Sequence, residues 1–345
     1  MDGFRFDLAT ILGRAADGSP LSSPPLLEAL AFEPVLGKTK LIAEAWDAGG
    51  LYQVGTFPAW KRWAEWNGRY RDDIRRFLKS DAGMADAAIR RITGSLDIYD
   101  PNLRGRSASV NFITCHDGFT LHDLYAYNEK HNEANGWNNT DGTNDNYSWN
   151  CGIEGDTQDP EIKKFRNRMR ENAVFTLMVS RGIPMLLAGD EFGNSQYGNN
   201  NAYCQDNNVS WLDWGRLGTH KHQFNFIKKC IDYRNNHPSV RCQIKPAACG
   251  LPDVSIHNGT PWNNYTDNET RTIGIMFAGW DEKRKRDDIV LILMNMHWDM
   301  RRFEMPLLPN GLNWKLEMST GDESIYDGYL TADLMGRSIM AFTGK

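Results

Sequence analysis

Five short apolar runs, Phe4–Ala9, Lys40–Trp46, Ala64–Asn67, Val110–Cys115 and Pro184–Gly189, alternate with helix-period segments over the first two-thirds of the chain. This alternation constrains the fold most, because strands that each hand over to a helix line up in a parallel sheet. The helical segments are Pro24–Leu36, Met84–Thr93, Pro160–Arg181 and His220–Asn236. In the third, Asp159 supplies an N-cap and Pro160 the first helical position. Ile162, Phe165, Met169, Ala173 and Leu177 then give it an apolar stripe. After about residue 245 the texture changes. Arg271–Phe277, Asp288–Met296, Asn313–Met318 and Ser338–Thr343 are short strand-like runs separated by Gly, Asn and Asp turns. They predict a small all-β domain. The stretch His131–Asn150, rich in Asn, Asp and Gly, reads as a long surface loop, a feature that is often functional.

Several function classes drop out. No run approaches the ~20 apolar residues of a membrane span. A net charge of −5 gives no basic footprint for nucleic acid. No C-x-x-C pairs the six cysteines, which argues against zinc and redox motifs. No charged n-region and apolar h-region precede Phe4, so no secretory signal is expected and the cysteines are read as free thiols in the cytoplasm. Gly37-Lys38-Thr39 fails as a phosphate loop, because Phe32 stands at the leading glycine position and the segment enters a strand. His116-Asp117, His122-Asp123 and His131 are too sparse for a metal site. No cofactor and no metal are expected.

What remains is acidic. Three of the runs end in carboxylates: Phe4-Arg5-Phe6-Asp7, Ile42-Ala43-Glu44-Ala45-Trp46-Asp47 and Ile113-Thr114-Cys115-His116-Asp117. One such end is an ordinary solvated strand boundary. Three together are another matter, since the C-terminal strand ends of a β/α barrel face its active site. Converging carboxylates there hold one another's protons, and a carboxylate beside a carboxylic acid is the apparatus of glycoside hydrolysis. A second cue is aromatic. Trp46, Tyr52, Phe57, Trp60, Trp63, Trp66 and Tyr70 crowd into one short segment, although aromatics form only 11% of the chain. They serve either core packing or a sugar cleft, and Trp46 is favoured for the cleft because it follows Glu44 by two residues.

These residues resemble the α-amylase superfamily, and within it the isoamylase-type debranching enzymes of glycogen and starch. Gly3-Phe4-Arg5-Phe6-Asp7, the segment Ile42–Asp47 and Phe112-Ile113-Thr114-Cys115-His116-Asp117 look like three of the four signature regions. Trp63-Ala64-Glu65-Trp66-Asn67-Gly68, Lys130-His131-Asn132-Glu133-Ala134-Asn135-Gly136 and Gly189-Asp190-Glu191-Phe192-Gly193 strengthen the match, and Ala45 departs from it where many relatives carry Pro. The resemblance implies Asp7 as nucleophile, oriented by Arg5, and Glu44 as general acid and then base. It implies Asp117 and His116 on the sugar hydroxyls, and a branched α-glucan (glycogen, amylopectin or limit dextrin) as substrate. An α-1,4-acting amylase or glucanotransferase and a non-catalytic glucan-binding subunit are the alternatives.

The expected fold class is α/β: a partial (β/α)8 TIM barrel, strands four to eight, over residues 1–245, then a small all-β sandwich domain over 246–345. A closed barrel needs eight strands, and the sequence supplies five. By the resemblance, the strand ending at Asp7 is the fourth. The chain is therefore expected to be N-terminally truncated, and inactive alone unless a separate N-terminal chain completes the barrel.

Overall fold

The computed structural model describes residues 2–105 and 107–345. Strands β1 (Gly3–Phe6), β2 (Lys40–Ala43), β3 (Trp63–Trp66), β4 (Ser109–Phe112) and β5 (Ile183–Met185) form one sheet in sequence order. Every neighbouring pair is parallel. Each overlaps one of the five expected runs, and β1, β2 and β4 end before the acidic residues because the chain leaves the ladder there. Helices α1 (Pro25–Phe32), α2 (Gly68–Lys79), α3 (Ala85–Ile92), α4 (Pro160–Val179) and α5 (Lys221–Asn236) intervene or follow. The α4 start is capped as its sequence requires, with the Asp159 carboxylate accepting from the N–H groups of Glu161 and Ile162.

The two faces of this sheet differ. On one, Leu41, Ala43 and Trp63 are buried against Leu27 and Ala31 of α1, and against Phe57 and Tyr99. Fully burying side chains of this size stabilises the fold by about 1.5–3 kcal/mol each. The other face carries Trp66, Val110 and Phe112, with Ile42, Ala64 and Met185 only half-buried. Among the described residues β1 and β5 each keep one unpaired edge, and Phe4 and Ile183 on them are exposed.

The C-terminal third is antiparallel. Strands β6 (Val254–Ile256), β7 (Thr272–Asp281), β8 (Arg286–Asn295), β9 (Arg301–Glu304), β10 (Trp314–Ser319), β11 (Ile325–Tyr326), β12 (Thr331–Leu334) and β13 (Ser338–Gly344) make two sheets. Their orders are β10-β13-β8-β7-β6 and β11-β12-β9. Alternation along the long strands splits the larger sheet's side chains between two cores. Ile273, Ile275, Val290 and Ile292 share a core with Phe77, Ile92 and Met169 of the helices. Met276, Leu291, Leu293 and Phe342 pack instead with Phe303, Ala332 and Leu334 of the smaller sheet. Arg181, just past α4, clamps Asp253 with both guanidinium nitrogens at 2.6 and 2.7 Å. The Asp288 carboxylate on β8 accepts from Ser239 N–H and its hydroxyl. No helix among the described residues is long and apolar enough to cross a membrane.

The loop after β5 is fastened to the one after β4 by a buried carboxyl. Asp190 accepts from the Leu121 N–H at 2.9 Å and from the Thr114 hydroxyl. Burial pushes this carboxyl up to about 7, against the opposing pull of both donors. In the unfolded chain it titrates near 3.9, so the native state binds the extra proton between the two values. Its contribution to stability is present at low pH and is lost as pH rises from about 4 to about 7. Asp190→Asn is expected to reduce the fall in melting temperature across that window, followed by circular dichroism. A pH profile parallel to that of the unaltered chain would show that Asp190 ionises normally.

Candidate active site

The site grows from the ends of β1, β2 and β4. On β1, Arg5 leans onto the half-open face, its guanidinium 4.3 Å from the centre of the Trp66 ring. Two residues on, Asp7 turns back to it, accepting a hydrogen bond from Arg5 Nη1 at 2.6 Å. Arg5 Nη2 lies 2.8 Å from Glu44 Oε1 at the end of β2. One guanidinium thus spans both carboxyl groups. The backbone completes the arrangement: Leu8 takes a left-handed conformation (φ 41°), and its N–H donates to Glu44 Oε2 at 2.8 Å.

The two carboxyl groups are inequivalent. The side chain of Asp7 is 68% exposed and that of Glu44 only 3%. Burial pushes Glu44 above the usual glutamate range; the Leu8 N–H and Arg5 oppose this, while the charges of Asp7 and Asp117 add to it. Asp117 follows β4, with His116 Nε2 at 3.4 Å from its Oδ2. The His116 ring meets the same Trp66 edge-on at 5.7 Å. Beyond Asp117 the chain reverses at Gly118, whose φ of +99° suits glycine, and the Gly118 N–H donates to Asn200 O. The structure therefore brings Asp7, Glu44, Arg5, His116 and Asp117 around one indole.

A cleft of about 550 Å³ opens beside them, walled by Glu44, Trp46, Tyr52, Arg71, Arg75 and Asp117. Trp46 and Tyr52 stack at 6.0 Å with planes 14° apart. The aromatic segment divides accordingly. Trp46 and Tyr52 face the cleft, Trp66 underlies Arg5, and Phe57, Trp63 and Tyr70 are core residues. Asp47, the second acid after β2, is taken up by Arg14 through contacts of 2.7 and 3.0 Å, which holds its carboxyl well below the usual range.

Sequence reasoning did not single out Arg75, Asn200 or Asn201. Arg75 on α2 is buried and donates to Ile113 O and Asn146 O, while its Nη2 has no acceptor. Burial, with Arg71 nearby, lowers its guanidinium to about 10. Its cation ties α2 to the backbone after β4 and to the loop over residues 131–150. The loop over residues 131–150 contributes the facing wall through amide pairs. Asn132 and Asn200 exchange hydrogen bonds of 2.8 and 2.9 Å, and Asn200 also donates to Asn146. Their place at the cleft comes from tertiary contacts alone, which leave no mark in the local sequence. His122 and Asp123 lie in buried polar networks, with Asp123 accepting from the Ser195 hydroxyl and Gln196 N–H. No group of three or more His, Cys, Asp or Glu among the described residues is placed to hold a metal ion. Chemically, the site offers an exposed carboxylate and a buried carboxyl with raised proton affinity, bridged by one cation, with the buried carboxyl lining the cleft.

No family model matches the chain. Among curated proteins it is 50% identical over 265 residues to isoamylase 3, chloroplastic, of Oryza sativa subsp. japonica, a match covering 76% of this chain and 33% of the relative. It is 48% identical over 335 residues to the glycogen operon protein GlgX homolog of Haemophilus influenzae, covering 93% of this chain and 47% of the relative. The chain thus spans between a third and a half of these relatives' length. Among solved structures, a pullulanase from Paenibacillus barengoltzii in complex with maltohexaose and alpha-cyclodextrin superposes with a TM-score of 0.66. That match has 20% identity and covers 99% of this chain and 48% of the other; at this identity it shows a shared fold.

The bridge can be read by titration. Removing the cation with Arg5→Met is expected to raise the Glu44 midpoint, and removing the neighbouring charge with Asp7→Asn to lower it. Carbon-detected NMR titration of the glutamate carboxyls measures both, and shifts of the same sign would mean that the three groups are not electrostatically linked.

Proposed function

The chain belongs to the isoamylase-type family of the α-amylase superfamily, and we propose that it carries the hydrolytic centre for α-1,6 branch linkages in glycogen, amylopectin or limit dextrins. The supporting observation is the Arg5 bridge between Asp7 and Glu44. Retaining glycosidases need their two carboxyl groups about 5–5.5 Å apart, whereas inverting pairs stand roughly 6.5–9.5 Å apart. A pair held by one guanidinium suits the compact class.

In this reading Asp7 attacks the anomeric carbon, and Glu44 gives its proton to the departing C6 oxygen of the branch point. The product is a glycosyl ester on Asp7 and a free hydroxyl on the main chain. Glu44, now ionised, takes a proton from water, which attacks the ester and frees the branch with retained configuration. Arg5 orients Asp7, His116 and Asp117 hold sugar hydroxyls, and Trp46 with Tyr52 forms a platform for a pyranose face. We assign residues 1–245 to strands four to eight of a (β/α)8 barrel and 246–345 to a β-sandwich domain. The unpaired edges of β1 and β5 and the half-open inner face favour completion of the barrel by further strands, whether in the same polypeptide or on a separate N-terminal chain. For the chain by itself, the same open sheet favours a non-catalytic glucan-binding role. Six unpaired cysteines suit the cytoplasm.

With the missing strands supplied, the protein is expected to release linear chains from glycogen and to cleave pullulan while leaving linear maltodextrin intact. Release from the linear substrate alone would replace this reading with an α-1,4-acting amylase or glucanotransferase. Glu44→Gln is expected to lower kcat by about 10²–10⁴-fold, the usual worth of a general acid–base. Activity that survives the substitution would remove Glu44 from its role.

A further inference from the structure

The loops that leave β1 and β2 are fastened to each other by more than the Arg5 bridge. After β1 the chain makes a short 3-10 turn, Ala9–Gly13, and runs on to Arg14. After β2 it makes a narrow hairpin over residues 45–53. Gln53 N–H donates to Ala45 O at 2.7 Å and Asp47 N–H to Leu51 O at 3.0 Å, so that Trp46 and Tyr52 pair across it. This pairing stacks the two rings at the cleft wall. A two-stranded hairpin by itself is at best marginally stable in water, so the place of the rings depends on what the hairpin is fixed to.

It is fixed on two sides. At its tip, the buried Asp47 carboxylate accepts from Arg14 Nε at 2.7 Å, from Arg14 Nη2 at 3.0 Å and from the Thr10 hydroxyl at 3.0 Å. A two-pronged guanidinium contact sets direction as well as distance. The same turn holds the acid, because Ala9 N–H donates to Glu44 O at 2.9 Å and Leu8 N–H to its carboxyl. Glu44 and the aromatic pair are thus both held to the chain that follows β1.

At its flank, the hairpin leans on the first residue of α2. A Cβ on Gly68 would stand 2.8 Å from the Tyr52 hydroxyl oxygen and 3.6 Å from the Trp46 ring. The first distance is shorter than van der Waals contact allows. The bare glycine leaves the space in which Tyr52 lies, and a methyl group there would displace the pair from α2.

We propose that Arg14, acting through Asp47, and Gly68, acting through Tyr52, are positioning residues that set the Trp46–Tyr52 platform relative to Glu44. The inference rests on the glucan reading of the cleft. Neither residue lines the cleft; a sugar meets the rings that they hold. A pyranose stacked on a displaced platform carries its glycosidic oxygen away from the acid, and a misplacement of about 1 Å is enough to matter.

The test compares Arg14→Met, Gly68→Ala and Trp46→Ala with the unaltered chain. Calorimetric titration with maltohexaose gives the affinity, and the Trp46 indole N–H signal in NMR spectra reports the platform without a sugar. Arg14→Met and Gly68→Ala are expected to move that signal and to weaken binding by about tenfold, the order lost with one aromatic contact. Gly68→Ala is the sharper variant, because alanine favours a helix over glycine and the melting temperature should not fall. If Trp46→Ala weakens maltohexaose binding while the other two bind like the unaltered chain, the positioning roles are refuted and the glucan-binding cleft stands. A lowered melting temperature for Arg14→Met, with signal and affinity unmoved, makes Arg14 a merely structural residue and overturns its role. If the unaltered chain binds no maltohexaose, the glucan reading falls. The indole signal then decides the placement alone: moved in both variants it stands, unmoved it falls.

Discussion

The guanidinium of Arg5 is the group on which the centre depends. A buried carboxyl and an exposed carboxylate, brought together by two strand ends, repel one another when both are ionised. Arg5 offsets that repulsion from one side through Nη1 and Nη2, and the Leu8 N–H from another. Because Glu44 is buried, compensation is incomplete and its proton affinity stays raised. Trp66 in turn supports Arg5 from below, a cation–aromatic contact that also borders His116. A parallel sheet thus holds a buried carboxyl of raised proton affinity beside an exposed carboxylate.

The surroundings use charge differently. Asp47, three residues beyond Glu44, is saturated by Arg14, Thr10 and the Leu51 N–H, and so shapes the loop. Arg75 is the converse case, a buried cation with one nitrogen unspent at the cleft wall. The antiparallel unit is held to the helices by the Ile273, Ile275 and Val290 face and by the Arg181–Asp253 clamp.

Much of this was legible in the sequence, for physical reasons. The apolar runs mark the parallel strands because short apolar runs alternating with helical segments read as sheet, and Asp159-Pro160 fixes the start of α4 because capping is a local matter. Asp7, Glu44 and Asp117 announced themselves by standing at strand ends. Helix α2 was overlooked although legible, since Tyr70, Ile74, Phe77 and Leu78 stand at amphipathic-helix spacing with charged residues between them. By contrast, β9, β11 and β12 are too short for a periodic signal. The cleft walls were out of reach, since Asn132 meets Asn200 and Arg14 meets Asp47 only through tertiary contact.

The account stands or falls on whether Asp7 and Glu44 work as a retaining pair. The most direct measurement is proton NMR of the anomeric signals as a branch is released by the barrel in its completed form, recorded before mutarotation. Two displacements, the first on Asp7, predict that the new reducing end appears first as the α-anomer. A β-anomer at first appearance would mean one displacement by water, and would contradict the role given to Asp7 and to the cation that ties it to Glu44.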